Sequence, residues 1–214
     1  MDNLMHDILV ITGPTATGKT RLAALVADRL GGEVISADSR QVYRGMDIGT
    51  GKDLSDYTVD GRRVPVHMVD IADAGYRYNV YEYQRDFLKV FEDMTMRGVF
   101  PVVCGGSGMY VDSIVSGYRL VQVPVNDQLR SLLDGRSLEE LTEILSQYKS
   151  LHNKTDVDTV KRAVRAIEIA DWYAHHPVGE TPFPVRNPLV TAVFVDRETR
   201  RQRISDRLRV RLEG

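Results

Sequence analysis

Two stretches of this sequence carry residue types that can do chemistry on phosphate. The first is Gly13-Pro14-Thr15-Ala16-Thr17-Gly18-Lys19-Thr20, with the spacing G-x-x-x-x-G-K-[ST]. There Gly13 and Gly18 permit tight turns, and the loop amides through Thr15, Ala16 and Thr17 face a diphosphate or triphosphate. Lys19 adds a mobile positive charge and Thr20 places a hydroxyl on Mg²⁺. The second is the segment from Arg197 to Leu212, with arginines at 197, 200, 201, 203, 207, 209 and 211. At helical spacing Arg200, Arg203, Arg207 and Arg211 share one face, beside a stripe of Ile204, Leu208 and Leu212. Such a face suits a phosphate leaving group or a nucleic-acid backbone.

These residues need elements to hold them. Ile8 to Thr12 reads as a buried parallel strand in front of the glycine loop, and Arg21 to Leu30 as the helix behind it, stopped by Gly31-Gly32. Glu33 to Ala37 reads as a second strand running straight into Asp38-Ser39-Arg40-Gln41. Ligands of open parallel sheets bind beyond the carboxyl ends of the strands, so Asp38 belongs where the reacting end of a phosphate ligand lies. From position alone it reads equally well as a helix N-cap. A glycine-punctuated loop follows from Arg44 to Asp53, then an Asp60-Gly61 hairpin turn and a strand over Val64 to Asp70. His67 in that strand reads as a structural hydrogen-bonder.

Tyr81 to Arg97 is an amphipathic helix whose apolar face includes Phe87, Val90, Phe91 and Met94. Phe100 to Cys104 is another buried strand, followed by Gly105-Gly106-Ser107-Gly108 and a helix over Met109 to Val115. Ser107 can donate to a substrate or leaving-group oxygen there or serve simply as the helix N-cap, and the two are compatible because a cap at this edge already faces the cleft. Past Tyr118 strand signals vanish, and helices are expected at Asp127 to Leu133, Leu138 to Tyr148 and Asp156 to Ala174. Thr181-Pro182-Phe183-Pro184 reads as a linker, and Leu189 to Val195 as a last strand before the arginine helix. The fold class is α/β, a P-loop NTPase-like parallel sheet flanked by helices with a small helical insert. The expected domains are 1–117 for the first part of the core, 118–186 for the insert and 187–214 for the return to the core.

Composition narrows the classes. At 214 residues and 43% hydrophobic, one α/β domain with an appendage can bury a sizeable core. A net charge of −2 argues against a chain that is basic throughout, so any nucleic-acid surface is local. The single cysteine, Cys104, excludes a disulfide framework and suits a reducing cytosol. With no leader pattern and no run long enough to span a bilayer, a cytoplasmic protein is expected. The chain stops in or just after the arginine helix, with no closing strand, and reads as cut.

Taken in order, GPTATGKT, ISADSRQVYRGMDIGTGK, VVCGGSGMY, VKRAVRAIEI and the arginine helix with QRISDRL resemble the tRNA dimethylallyltransferase (tRNA isopentenyl-pyrophosphate transferase) family. The resemblance spans almost the whole chain. It implies transfer of a dimethylallyl group from its diphosphate to N6 of the adenosine just 3′ of the anticodon in tRNA, with Mg²⁺ as cofactor. It implies a P-loop core with a helical insert that embraces the anticodon stem-loop, acting as a monomer. Asp38 then matches the general base, Lys19 and Thr20 the residues on the diphosphate and its Mg²⁺, and Arg207 the arginine on the leaving group. Ser107 stands where the family usually has threonine. Asp38, Ser39, Gln41, Ser107, Arg130, Arg162 and Arg165 fall in stretches that meet the tRNA. The sequence departs from the family in reading DIGTGKD in place of the more usual DIGTAKP. The rival readings are a prenyltransferase of free adenine nucleotides and a small-molecule P-loop kinase.

Overall fold

The computed structural model describes residues 6–117, 119–150, 155–176, 183–185 and 187–213. The elements are β1 (Ile8–Thr12), α1 (Lys19–Leu30), β2 (Glu33–Ser36), α2 (Asp47–Thr50), a 3₁₀ turn (Leu54–Tyr57), β3 (Thr58–Val59), β4 (Arg62–Arg63) and β5 (Val66–His67). Then come α3 (Val80–Met96), β6 (Pro101–Cys104), α4 (Gly108–Val115), α5 (Asp127–Leu133), α6 (Leu138–Tyr148), a 3₁₀ turn (Thr155–Val157), α7 (Val160–His175), β7 (Pro188–Ala192) and α8 (Arg197–Glu213). Chain contacts divide them into two units, Met1–Leu120 with Pro182–Gly214, and Val121–Thr181. Residues 118, 181, 182 and 186, at the expected boundaries and linker, lie outside the described residues.

The first unit is built on a five-stranded sheet of order β5-β2-β6-β1-β7, and every pair is parallel. Parallel neighbours need crossovers, which is why strands and helices alternate along the sequence. The short strands β1, β2 and β6 are largely buried on both faces, while β7 at the sheet edge is exposed. On one face Val10, Ile35 and Val103 pack under Tyr83, Phe87 and Met94 of α3 and Ile114 of α4. On the other, Ile11, Val34 and Val102 meet Ala23, Ala24 and Ala27 of α1, with Tyr57, Val59 and Val64 from the hairpin region. Small alanines let α1 lie close to the sheet. That closeness fixes the height of the glycine loop above the strand ends.

Three sequence expectations change in detail. The strand expected over Val64 to Asp70 pairs with β2 only at Val66 and His67. Met68 (φ 65°) and Asp70 (φ 56°) adopt left-handed backbone, which turns the chain out of the sheet. The helix expected from Asp156 begins at Val160, because the Thr159 side chain accepts from the Arg162 amide and caps it there. The last strand ends at Ala192, although the Val193 amide still donates to the Thr12 carbonyl at 2.8 Å. Elsewhere local signals suffice. Asn79 and Glu82 form the reciprocal capping box that starts α3, and Asp60-Gly61 turns β3 into β4 with positive φ at both residues. The His67 imidazole donates to the Glu33 carboxylate at 2.7 Å, a structural role as read.

In the second unit α5, α6 and α7 close over Leu133, Leu141, Leu145, Ala163 and Ile167. Among its described residues the one deeply buried charge is Glu168, which is 2% exposed.

Candidate active site

A cavity of about 590 Å³ opens at the carboxyl ends of β1, β2 and β6. Its floor is the glycine loop. Gly13 has φ 137°, and a Cβ there would lie 2.3 Å from the Val193 carbonyl oxygen, so only glycine lets the chain leave β1 beside the end of β7. Left-handed turns at Ala16 (φ 62°) and Gly18 (φ 90°) then curl the loop into α1. This shape presents backbone N–H groups to an anion, and the α1 N-terminus adds its dipole. Ala16 holds the left-handed geometry at a cost of about 1 kcal/mol, strain of the kind that clusters at binding loops. The Thr17 hydroxyl and the Lys19 ammonium donate to the Pro14 carbonyl at 3.0 and 2.7 Å and hold the loop closed on itself.

Charge in the cleft is arranged for an anion. Burial lowers the Lys19 pKa, Cys104 and Asp38 oppose that shift, and the Arg207 charge adds to it. Lys19 and Arg207 therefore feel one another, and an anion between them relieves both. Beneath the loop, burial pushes the Cys104 thiol up to about 11. Cys104 is thus a neutral thiol at the floor of the site.

Asp38 and Ser107 meet at the strand ends. The Ala37 amide donates to the Cys104 carbonyl at 2.8 Å, extending the β2–β6 ladder to the residue before Asp38. No helix follows Asp38, which removes the N-cap reading. Its carboxylate instead accepts from the Arg40 amide at 2.9 Å and shapes the turn. Ser107 occupies the N-cap position of α4 but its side chain caps nothing. Its hydroxyl accepts from the Ser39 amide at 2.8 Å and donates to the Ser39 hydroxyl at 3.1 Å. The expected capping role is therefore corrected, because the Ser107 hydroxyl is engaged by Ser39 instead of the helix amides. Gly105 permits this meeting, since a Cβ there would lie 2.1 Å from the Ala37 carbonyl oxygen.

The walls come from farther along the chain. Gln41 donates to the Gly51 carbonyl at 3.4 Å, and the Lys52 ammonium, with its side chain 1% exposed, donates to the Tyr43 carbonyl at 2.8 Å and to Asp47 at 2.7 Å. It also bonds Asp70. These contacts pin the loop around α2 against the sheet. Across from it, α8 brings Arg207 and Arg211 to the cavity together with Ile204 and Leu208. Arg207 Nη2 lies 2.9 Å from Asp56, and Arg211 makes a two-pronged pair with Asp53 at 3.2 and 2.7 Å. Tyr57 and Ile48 extend the apolar side. The cavity therefore joins a cationic phosphate cradle to a short apolar wall, as a diphosphate carrying a small hydrocarbon requires.

Most of the sequence-predicted site residues lie together here: Gly13, Thr15, Ala16, Lys19, Thr20, Asp38, Ser39, Gln41, Ser107 and Arg207 all line the cavity. Thr17 and Gly18 belong to the loop backbone beneath it. The remaining three lie in the second unit. Arg130 makes a two-pronged pair with Glu168 at 3.0 and 3.0 Å, and Arg165 bonds Glu168 as well as the Val123 carbonyl at 2.8 Å. Arg162 pairs with Asp158 one turn earlier. Arg130 and Arg165 thus have a structural task around a buried carboxylate, with the Arg130 side chain 42% and the Arg165 side chain 39% exposed. Sequence reading passed over Tyr57, Lys52 and the pair Asp53 and Asp56, and it named Arg211 only as one arginine of the α8 face. The Ile204–Leu208 stripe was visible, but nothing in its spacing says that it lines a cleft.

A family model described as IPP transferase matches residues 41–214. The tRNA dimethylallyltransferase 2 of Bacteroides fragilis is 59% identical over 208 residues, which is 97% of this chain and 68% of that protein. The chain belongs to the IPP transferase family. A further member, the tRNA dimethylallyltransferase 1 of Geotalea daltonii, is 52% identical over 98% of this chain and 67% of its own length. The chain thus spans about two thirds of the length of the curated relatives it matches. Among solved structures, the tRNA isopentenylpyrophosphate transferase of Bacillus halodurans is 30% identical with a TM-score of 0.59, covering 97% of this chain and 66% of that one. A eukaryotic dimethylallyltransferase acting on tRNA shares the fold with a TM-score of 0.76 at 23% identity, over 96% of this chain and 52% of its own.

Proposed function

We propose that this chain transfers a dimethylallyl group from dimethylallyl diphosphate to N6 of the adenosine adjoining the anticodon on its 3′ side in tRNA, and releases diphosphate. The observation that carries the reading is the composition of one cavity, in which the phosphate loop, Asp38 with Ser107, Arg207 and an apolar wall all meet. Lys19, the loop amides and Arg207 hold the diphosphate and stabilise the charge it gains as the allylic C–O bond breaks. Ile48, Tyr57, Ile204 and Leu208 receive the five-carbon tail. Asp38 accepts the proton that the exocyclic amine must lose, since delocalisation of its lone pair leaves that amine a poor nucleophile. Ser107 holds the Asp38 turn through Ser39 and orients the base. An adenosine in a loop reaches such a cleft by flipping out of its stack.

Mg²⁺ fits the donor set. Among the described residues no group of three or more His, Cys, Asp or Glu side chains forms a metal cage. The Thr20 hydroxyl at the loop would instead share the ion with the diphosphate oxygens, the usual habit of Mg²⁺ at phosphate sites. When bound, the ion neutralises leaving-group charge. No helix among the described residues is long and apolar enough to cross a membrane, and the buried neutral thiol suits a reducing cytoplasm, where we place the protein.

The rival acceptor is a free adenine nucleotide. It gains from the fact that Arg130, Arg162 and Arg165 each already have a carboxylate partner. Labelled dimethylallyl diphosphate with Mg²⁺, offered unmodified tRNA and AMP side by side, separates the two. Label on tRNA alone is expected. Label on AMP alone would replace the tRNA reading, and γ-phosphate transfer from ATP with no prenyl transfer would replace both.

A further inference from the structure

Two carboxylates stand beside the phosphate site, where their charge works against an anionic ligand. Asp53 is absorbed by Arg211 through two hydrogen bonds, a closed pair whose side chains are only 20% and 30% exposed. Asp56 is different. It takes a single hydrogen bond from Arg207, at Nη2, and leaves Nε and Nη1 of that guanidinium uncommitted to it. The Asp56 side chain is 25% exposed and Arg207 is 40% exposed, so the pair stands at the wet edge of the cleft. The carboxylate reaches this spot because the 3₁₀ turn Leu54–Tyr57 packs against α1 through buried Tyr57. Its position is therefore set by the core and does not depend on α8. Arg207 is the more exposed partner, on a helix with no fully buried residue.

We propose that Asp56 is a positioning residue for the leaving group: it aims Arg207 across the cavity and offsets part of its charge, so that the released diphosphate dissociates. This rests on the reading of the cavity as a prenyl diphosphate site. Anchored at one nitrogen, the guanidinium presents its remaining N–H groups to the phosphate without a search through rotamers. The same carboxylate repels the product. Transition-state stabilisation by Arg207 is thus kept while ground-state holding of diphosphate is relaxed, the combination that favours turnover.

The two tasks separate by substitution. Asp56→Asn keeps an oxygen to accept from Arg207 and removes the charge. Asp56→Ala removes both. Magnesium pyrophosphate binding to the full chain is measured by calorimetry, and single-turnover prenyl transfer by quench. The expected results are a Kd about fivefold lower for Asp56→Asn, the scale of one screened unit charge across a solvated cleft, with single-turnover transfer within about threefold of the parent. For Asp56→Ala transfer falls about tenfold. A residue that only braced α8 would give weaker pyrophosphate binding in both variants. That outcome, or an unchanged Kd in Asp56→Asn, would overturn the inference while the parent chain still binds pyrophosphate and transfers prenyl. A parent chain that does neither would overturn the reading of the cleft, and this inference with it. Because Asp56→Asn is nearly isosteric, it keeps the test open should Asp56→Ala fold poorly.

Discussion

The four residues Gly105-Gly106-Ser107-Gly108 offer a graded perturbation of the site, because an added methyl meets three different environments within one turn of chain. At Gly105 a Cβ would lie 2.1 Å from the Ala37 oxygen, 2.3 Å from its carbonyl carbon and 2.7 Å from its Cα. Ordinary contact then requires the ends of β2 and β6 to part by about 1 Å in a close-packed interior. Overpacking of that size costs about 2–3 kcal/mol, or roughly 5–10 °C in Tm for a chain of this length. Ala37 precedes Asp38, so the same displacement carries the proposed base away from Ser107, and a 1 Å error at a reacting group costs about a hundredfold in rate. At Gly106 the nearest atom is the Gly13 oxygen at 3.1 Å, which the loop can concede. Gly106→Ala is expected within about 1 kcal/mol of the parent and less than tenfold slower. At Gly108 nothing lies within 4 Å, and the position opens α4. Gly108→Ala should therefore stabilise by about 0.5–1 kcal/mol with activity unchanged. Urea unfolding and prenyl-transfer kinetics on the three variants read both scales. A Gly105→Ala protein as stable and active as Gly108→Ala would refute the claim that close approach of β6 to β2 sets the position of Asp38.

Other expectations follow from the charged pairs. Arg97 grips both oxygens of Glu33 at 2.8 Å and, with His67, holds its carboxyl down at about 2, well below the usual carboxylate range. A depressed carboxylate stabilises the fold above its unfolded pKa and loses that contribution as pH falls through its folded one. With Arg97 40% exposed the contribution is discounted to about 1–2 kcal/mol. Glu33→Gln should thus be destabilised at pH 7, with the gap to the parent closing between pH 4.5 and 2 in urea titrations. A gap of constant size over that range would contradict the linkage. Lys52→Met leaves the Tyr43 carbonyl unpaired and frees the loop that Gln41 and Ile48 use. A loss of about 1–3 kcal/mol and a raised KM for the prenyl donor are expected, and an unaltered KM would remove Lys52 from the support of the site.

The parts of the site legible in the sequence are those encoded locally. The glycine loop, its strand and its helix are contiguous, so spacing alone fixed Lys19 and Thr20. Asp38 and Ser107 were legible because each directly follows a strand, and parallel strands bring their carboxyl ends to one edge. What escaped is nonlocal or conformational. The pairs Arg207–Asp56 and Arg211–Asp53 join residues 151 and 158 positions apart, and no spacing rule reaches so far. The shortened β5 depends on left-handed backbone at Met68 and Asp70, residues that give no glycine signal for it. Ser107 was read as a cap because its position is that of a cap. Its hydroxyl turned to Ser39, a partner made available only by the β2–β6 pairing. Arg130 and Arg165 were named from the resemblance, and the buried Glu168 that organises them lies one turn beyond Arg165 on the same face of α7, where spacing alone does not show its burial.

The central claim is that Asp38 removes a proton from a nucleophile delivered to a diphosphate cradle, and the most direct measurement compares binding with chemistry in Asp38→Ala. Filter binding gives the tRNA affinity, and single-turnover transfer from labelled dimethylallyl diphosphate gives the rate. The account predicts an affinity within about threefold of the parent, since Asp38 offers one contact among many, and a rate lower by about two orders of magnitude or more. A rate equal to that of the parent, with tRNA bound as tightly, would contradict it.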